Sequence, residues 1–361
     1  MKQLGFSVYP ERADREENRA YIDRAFKYGF TRVFTCLISA EGDNDRVIKE
    51  FSDIAGFAAE LGMEVIADVS PAVFSSFGID YHDLRFFHEL KLAGIRLDLG
   101  FSGLEESIMT FNPYGLKIEI NMSNGTRYLE NILSYRPKVE NLIGCHNFYP
   151  HRYTGLSRRH FEQCSSLFKQ NGIRTAAFIS SEKAAFGPWP VSEGLCTLEE
   201  HRALPVEVQA KDLFNTGLIN DVILANAFAS EDELSRLGGV DRDLLTLNVE
   251  LIEGVPEVER EIVLDELHFN RGDISEYMIR STQSRVKYSK HHFGIFNAPP
   301  IKRGDILIDS SLYERYAGEL QLALKDMENS GRTNVVGRIS EKEIYLLDHI
   351  KPWQKFRLKL K

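Results

Sequence analysis

Three acids stand near the C-terminal ends of three short apolar runs: Asp68 in MEVIADV, Asp98 in GIRLDLG and Glu119 in LKIEINMS. Side chains two apart share one face of a strand, which sets Arg96 beside Asp98 and aligns Lys117, Glu119 and Asn121. Charges at such regular intervals do not belong in an apolar interior unless they are paired and hydrogen-bonded. Acids converging at one end of a sheet supply a proton donor and a proton acceptor. Lys117, two residues before Glu119, adds an amine able to form a Schiff base with a carbonyl. The structural alternative is that Arg96 with Asp98 and Lys117 with Glu119 are ion pairs that only close the interior.

Such runs, separated by longer stretches with helical spacing, read as parallel strands of βα units. Eight of them follow in order: LGFSVYP (4–10), RVFTCLI (32–38), MEVIADV (63–69), GIRLDLG (94–100), LKIEINMS (116–123), LIGCHNFYP (142–150), RTAAFIS (174–180) and DVILAN (221–226). They predict an α/β fold, an eight-stranded β/α (TIM) barrel, with an open doubly wound sheet as the alternative. Consecutive strands usually neighbour one another, so the acids should meet at one end of one sheet. The texture changes near Asp241, where LLTLNVELIEG, EREIVLDEL, YMIRST, DILIDSSL and NVVGRI read as strands between polar turns. The expected division is a catalytic barrel over 1–241 and a small, mostly β domain over 242–361. No P-loop or dinucleotide fingerprint follows an early strand.

Composition narrows the partners. The 361 residues are 43% apolar and 27% charged, with a net charge of -9. That balance argues against a general nucleic-acid or anionic-membrane binder, since both need positive surface. The N-terminus MKQLGFSVYP lacks the apolar core of a signal peptide, and no run is long enough to span a bilayer. Cys36, Cys145, Cys164 and Cys196 are widely spaced, as expected of buried thiols in a reducing cytoplasm. No sequence feature fixes the oligomeric state.

The chain resembles the bacterial 6-phospho-N-acetylmuramidases, which join an N-terminal β/α barrel to a C-terminal cyclophilin-like domain. The resemblance spans nearly the whole length. It rests on GFSVYPE, FTCLIS, ADVSP, RLDLGF, KIEINMSN, CHNFYPHRYTGL and FGPWPVSEGLCTLEEHR. It implies a cytoplasmic glycoside hydrolase that cleaves 6-phospho-N-acetylmuramyl-N-acetylglucosamine during cell-wall recycling, with no cofactor.

Under that reading two carboxyl groups flank the scissile bond, one protonated and one ionised. Glu119 is the preferred acid because of its longer reach, Asp98 its partner, and Asp68 the reserve. Retaining, inverting and substrate-assisted routes all remain open. Arg96, Lys117 and Asn121 line the same face. At the sixth strand His146 and Asn147 offer donors to sugar hydroxyls, Tyr149 a stacking ring, and His151 and Arg152 further polar contacts. A His146/His151/His201 metal site lacks supporting spacing, so no metal is expected.

The substrate's phosphate and lactyl groups need donors. In β/α barrels the loops after strands seven and eight often hold phosphate. Here they offer Ser180, Ser181 and Lys183, then Asn226 and a helix start at Ser230. His201 and Arg202 would fold back from the insertion, whose Gly187, Pro188, Trp189 and Pro190 read as a stiff loop with an aromatic platform. Two rivals remain: a sugar-phosphate isomerase or aldolase using Lys117 or Glu119, and a non-catalytic carbohydrate-binding protein.

Overall fold

The computed structural model describes residues 2–37, 44–184, 186–188 and 193–361. The Trp189 and Pro190 platform lies outside these residues. The chain forms two compact units, Met1–Val240 and Asp241–Lys361.

In the first unit eight parallel strands close in sequence order: β1 (Gln3–Ser7), β2 (Arg32–Cys36), β3 (Glu64–Val69), β4 (Gly94–Leu97), β5 (Lys117–Asn121), β6 (Leu142–Cys145), β7 (Arg174–Ile179) and β8 (Asp221–Leu224). Leu4 on β1 sits opposite Val222 on β8, and Phe6 opposite Leu224. That pairing closes the ring, excludes the open sheet and leaves no edge for foreign strands. The fold is a β/α barrel.

The helix Arg158–Gln170 shows why the outer layer forms. Ser157 caps its start by accepting from the His160 amide, and Phe161, Cys164, Ser165 and Phe168 are buried at the i, i+3, i+4, i+7 spacing of one helical face. Burying each phenylalanine contributes roughly 1.5–3 kcal/mol. The inner face of the barrel is different. It carries charged groups, and closure places their partners.

The second unit is a seven-stranded mixed sheet: β9 (Leu245–Leu251), β10 (His268–Phe269), β11 (Met278–Ser281), β12 (Asp305–Asp309), β13 (Leu320–Ala323), β14 (Thr333–Ile339) and β15 (Lys355–Leu360), in the order β10-β15-β9-β14-β12-β13-β11. Only the β9–β15 pairing is parallel. This is the small, cyclophilin-like β domain expected. One segment departs from expectation: EREIVLDEL belongs largely to the helix Glu257–Asp265. Its buried Glu259, Ile262 and Val263 fall at i, i+3, i+4, a spacing that its β-branched residues mask.

Candidate active site

The charged groups inside the barrel form two clusters. Gln3, Glu64 and Arg174 open their strands, and so mark the N-terminal end. There Arg174 Nη2 reaches Gln3 Oε1 at 2.6 Å, Glu64 Oε2 at 2.7 Å and Asp221 Oδ2 at 2.8 Å. Arg32 on β2 donates to Asp221 at 2.6 Å and also to Glu119. Arg32, Glu119 and Asp221 are fully buried.

The second cluster lies at the C-terminal end. Arg96 Nη1 stands 2.7 Å from Asp68 Oδ1 and 3.2 Å from Asp98 Oδ1, while Nη2 donates to Asn147 Oδ1. The Asp68 side chain is 9% exposed and that of Asp98 37%. Burial drives the Asp68 carboxyl up; Arg96 opposes and the Asp98 charge reinforces it, leaving a pKa of about 7. A carboxyl held there carries a proton in a large fraction of molecules at neutral pH. Beside it stands a second carboxylate open to the mouth.

This arrangement corrects the choice of Glu119 as acid. Register does place Asp68, Arg96 and Glu119 side by side on β3, β4 and β5. The Glu119 carboxylate nevertheless turns to Arg32, away from solvent, so it has no route to a glycosidic oxygen. Arg32 is not among the candidates above; its signal is a lone cation opening the apolar run RVFTC on the face shared with Phe34 and Cys36. Lys117 is also displaced from the mouth. It opens β5, and its Nζ donates at 3.0 Å to both Glu140 O and Asn141 Oδ1. A Schiff-base lysine two residues from the acid is thereby removed, and the aldolase reading with it.

Asn121 closes β5, and its Oδ1 accepts from the Ser123 amide at 2.8 Å. It borders a cleft of about 230 Å³ that Asn124, Arg127, His160 and Gln163 also line. Beyond β6, Asn147 reaches the carboxylate cluster and Tyr149 is half-buried, its phenol pushed up by burial. His146 is not a sugar contact. It is fully buried between Ser123 and Ser165. His151 and Arg152 are exposed, with Arg152 within 3.4 Å of Glu193.

His201 is likewise buried, 2.7 Å from Asp212, so the three histidines reach three separate places. Arg202 is committed to structure: it grips Glu199 through two bonds of 2.7 Å and donates to the carbonyls of Tyr149, Glu193 and Gly194. Glu199 in turn accepts from the Tyr153 and Gly155 amides at 2.8 Å. A Cβ on Gly155 would come within 2.7 Å of that carboxylate, which explains the glycine.

The expected phosphate loops are also occupied from within. Ser180 Oγ accepts from Leu195 N, and Ser181 Oγ donates to Glu233. Asn226 bonds both backbone groups of Ser181. Ser230 does cap the helix Glu231–Gly238, as expected, but Glu233 closes the capping box and also accepts from Glu182 N. The helix N-terminus therefore already holds a carboxylate. Lys183 alone of this set is exposed: its amide donates to Ser181 Oγ at 3.0 Å, while its ammonium has no hydrogen-bond or ion-pair partner among the described residues.

Comparison with known proteins identifies the family of the chain. The model of the 6-phospho-N-acetylmuramidase N-terminal part matches residues 4–239, and that of its C-terminal part matches 245–359. The chain belongs to the 6-phospho-N-acetylmuramidase family. Like the family, it is a glycoside hydrolase of peptidoglycan recycling, acting on a phosphorylated muramyl disaccharide. An uncharacterized B. cereus protein of known crystal structure is 50% identical to this 6-phospho-N-acetylmuramidase family member, covers 99% of both chains and superposes with a TM-score of 0.91. A conserved Enterococcus faecalis protein of unknown function is 22% identical over 99% of this chain and 96% of its own, with a TM-score of 0.72, and shares the fold. No curated protein matches. Among the described residues no helix is long and apolar enough to cross a membrane.

Proposed function

We propose that Asp68 and Asp98 carry out the glycosidic cleavage, Asp68 as general acid and Asp98 as its ionised partner, with Arg96 aligning both. The observation that carries this reading is the shared guanidinium: one buried carboxyl whose pKa is about 7, and one exposed carboxylate, on the same Nη1. Asp68 delivers its proton to the glycosidic oxygen as the bond to the anomeric carbon breaks. The two oxygens on Nη1 can be no farther apart than their two distances to it combined, a closeness that suits the about 5–5.5 Å of a retaining pair. Asp98 then forms the glycosyl ester, and Asp68, now a base, activates the water that hydrolyses it.

The anionic substrate meets Lys183 on the loop after β7, which supports phosphate recognition there. Four buried free thiols support a cytoplasmic location. The test is turnover of phosphorylated and unphosphorylated muramyl disaccharides by parent, Asp68→Asn and Asp98→Asn. Loss of about 10²-fold or more in both folded variants, with retention of anomeric configuration, is expected. An inverted product or near-parental turnover in either variant would sink the assignment. Lys183→Ala should raise KM for the phosphorylated compound and leave the unphosphorylated one unaffected.

A further inference from the structure

A line of hydrogen bonds runs from the outer helix to the carboxylate pair. Ser165 Oγ, on the helix Arg158–Gln170, is 2.8 Å from His146 Nε2, and His146 Nδ1 is 3.0 Å from Ser123 Oγ. Ser123 Oγ accepts from the Asn147 amide at 2.8 Å, and the Asn147 carboxamide accepts from Arg96 Nη2. Arg96 then holds Asp68 and Asp98. Ser123 has little freedom of its own, because its amide donates to Asn121 Oδ1 at 2.8 Å and its carbonyl lies 2.7 Å from His160 Nε2. Thr197 Oγ1 fixes the other side of Asn147 by donating to its carbonyl at 2.8 Å.

We propose that His146 is a positioning residue for the glycosidic cleavage: by holding Ser123, it fixes Asn147 on Arg96 and thereby the guanidinium that aligns Asp68 and Asp98. This rests on the assignment of that pair. A surface bond would not need a fully buried imidazole, packed with its ring centroid 4.8 Å from that of Phe161. Burial, with smaller contributions from His160 and Arg96, holds its pKa down to about 3. The ring therefore stays neutral at working pH, with one nitrogen donating and the other accepting, as a bridge between two hydroxyls requires. The fields on Asp68 come from Arg96, Asp98, Glu119, Tyr9 and Cys145; Arg96 is tied to the His146 side chain through Asn147, and Cys145 Sγ donates to the His146 carbonyl at 3.3 Å, a backbone bond that replacing the imidazole leaves in place.

The test compares His146→Leu, His146→Asn and Ser123→Ala in the full chain, with kcat, KM, the pH profile and melting measured together. His146→Leu should lower kcat by about 10- to 100-fold with KM nearly constant, as small misplacements of catalytic groups do. A slackened Arg96 lowers the Asp68 pKa less, so the alkaline limb should move upward. His146→Asn, which can keep the bond to Ser123, should recover most of kcat, and Ser123→Ala should repeat the loss. If His146→Leu fails to fold, Ser123→Ala decides alone. Folded variants with parental kcat and an unmoved alkaline limb overturn the proposal, even where melting falls. Parental turnover in Asp68→Asn or Asp98→Asn overturns the underlying assignment and this inference together; loss there beside an unmoved His146→Leu profile overturns the inference alone.

Discussion

A carboxyl whose pKa sits near neutrality weakens the fold at the pH where it must ionise. The Asp68 pKa rises from 3.8 to about 7, so the native state keeps its proton while the unfolded chain loses it. Stability therefore falls as pH rises through that window and levels off above it. Asp68→Asn should melt like the parent near pH 4 and higher than the parent near pH 8, while losing turnover; a lower Tm at both would contradict the raised pKa. The Asp98 charge helps to hold Asp68 up, so in Asp98→Asn the Asp68 carboxyl should titrate below about 7 by carbon magnetic resonance. Glu119 predicts the opposite phenotype. Removing its charge leaves the buried Arg32 with Asp221 as its remaining counter-ion among the described residues, at a cost of about 3–5 kcal/mol typical of broken buried pairs. Glu119→Gln should lose that much in urea unfolding, with the folded fraction still turning over.

At the scale of strands and loops, apolar runs and their spacing revealed all eight barrel strands, because each strand's character is local. The partners inside the barrel were not local. Arg32 meets Glu119 across 87 residues of chain, and only closure makes them neighbours. Alternation did hold a clue for His146: it follows Cys145 with opposite parity, which turns it outward to Ser165 and Phe161, whereas Asn147 turns inward to Arg96. The polar density of CHNFYPH hid that division. Arg202 was ambiguous for a different reason, since an exposed cation and a loop brace have the same sequence. Arg202→Ala should release Glu199 and the 150–156 loop, costing about 1.5–3 kcal/mol per charged bond lost and speeding proteolysis there. Unchanged cleavage rates would show that the brace is dispensable.

At the scale of the molecule, the second unit has its own core, with Ile306, Ile308, Leu320 and Leu322 fully buried. Expressed alone, residues 241–361 should fold and show no glycosidase activity, since neither Asp68 nor Asp98 belongs to them. Hydrolysis by that fragment would refute the assignment of chemistry to the barrel. Its Asp309 is raised to about 6, chiefly by burial, with Thr333 opposing and Glu319 adding to the rise. The fragment should therefore lose stability as pH climbs from about 4 to 6, and Asp309→Asn should flatten that decline.

Glu233 has a consequence for ligand choice. It behaves as a tethered competitor at the start of the helix Glu231–Gly238, with an effective concentration that a short tether sets at millimolar or higher. A dissolved anion has to outbid a rival that never diffuses away. Replacing Glu233 with glycine should vacate the seat, lower Tm in plain buffer and make it recover as sulfate is added, whereas the parent should barely respond.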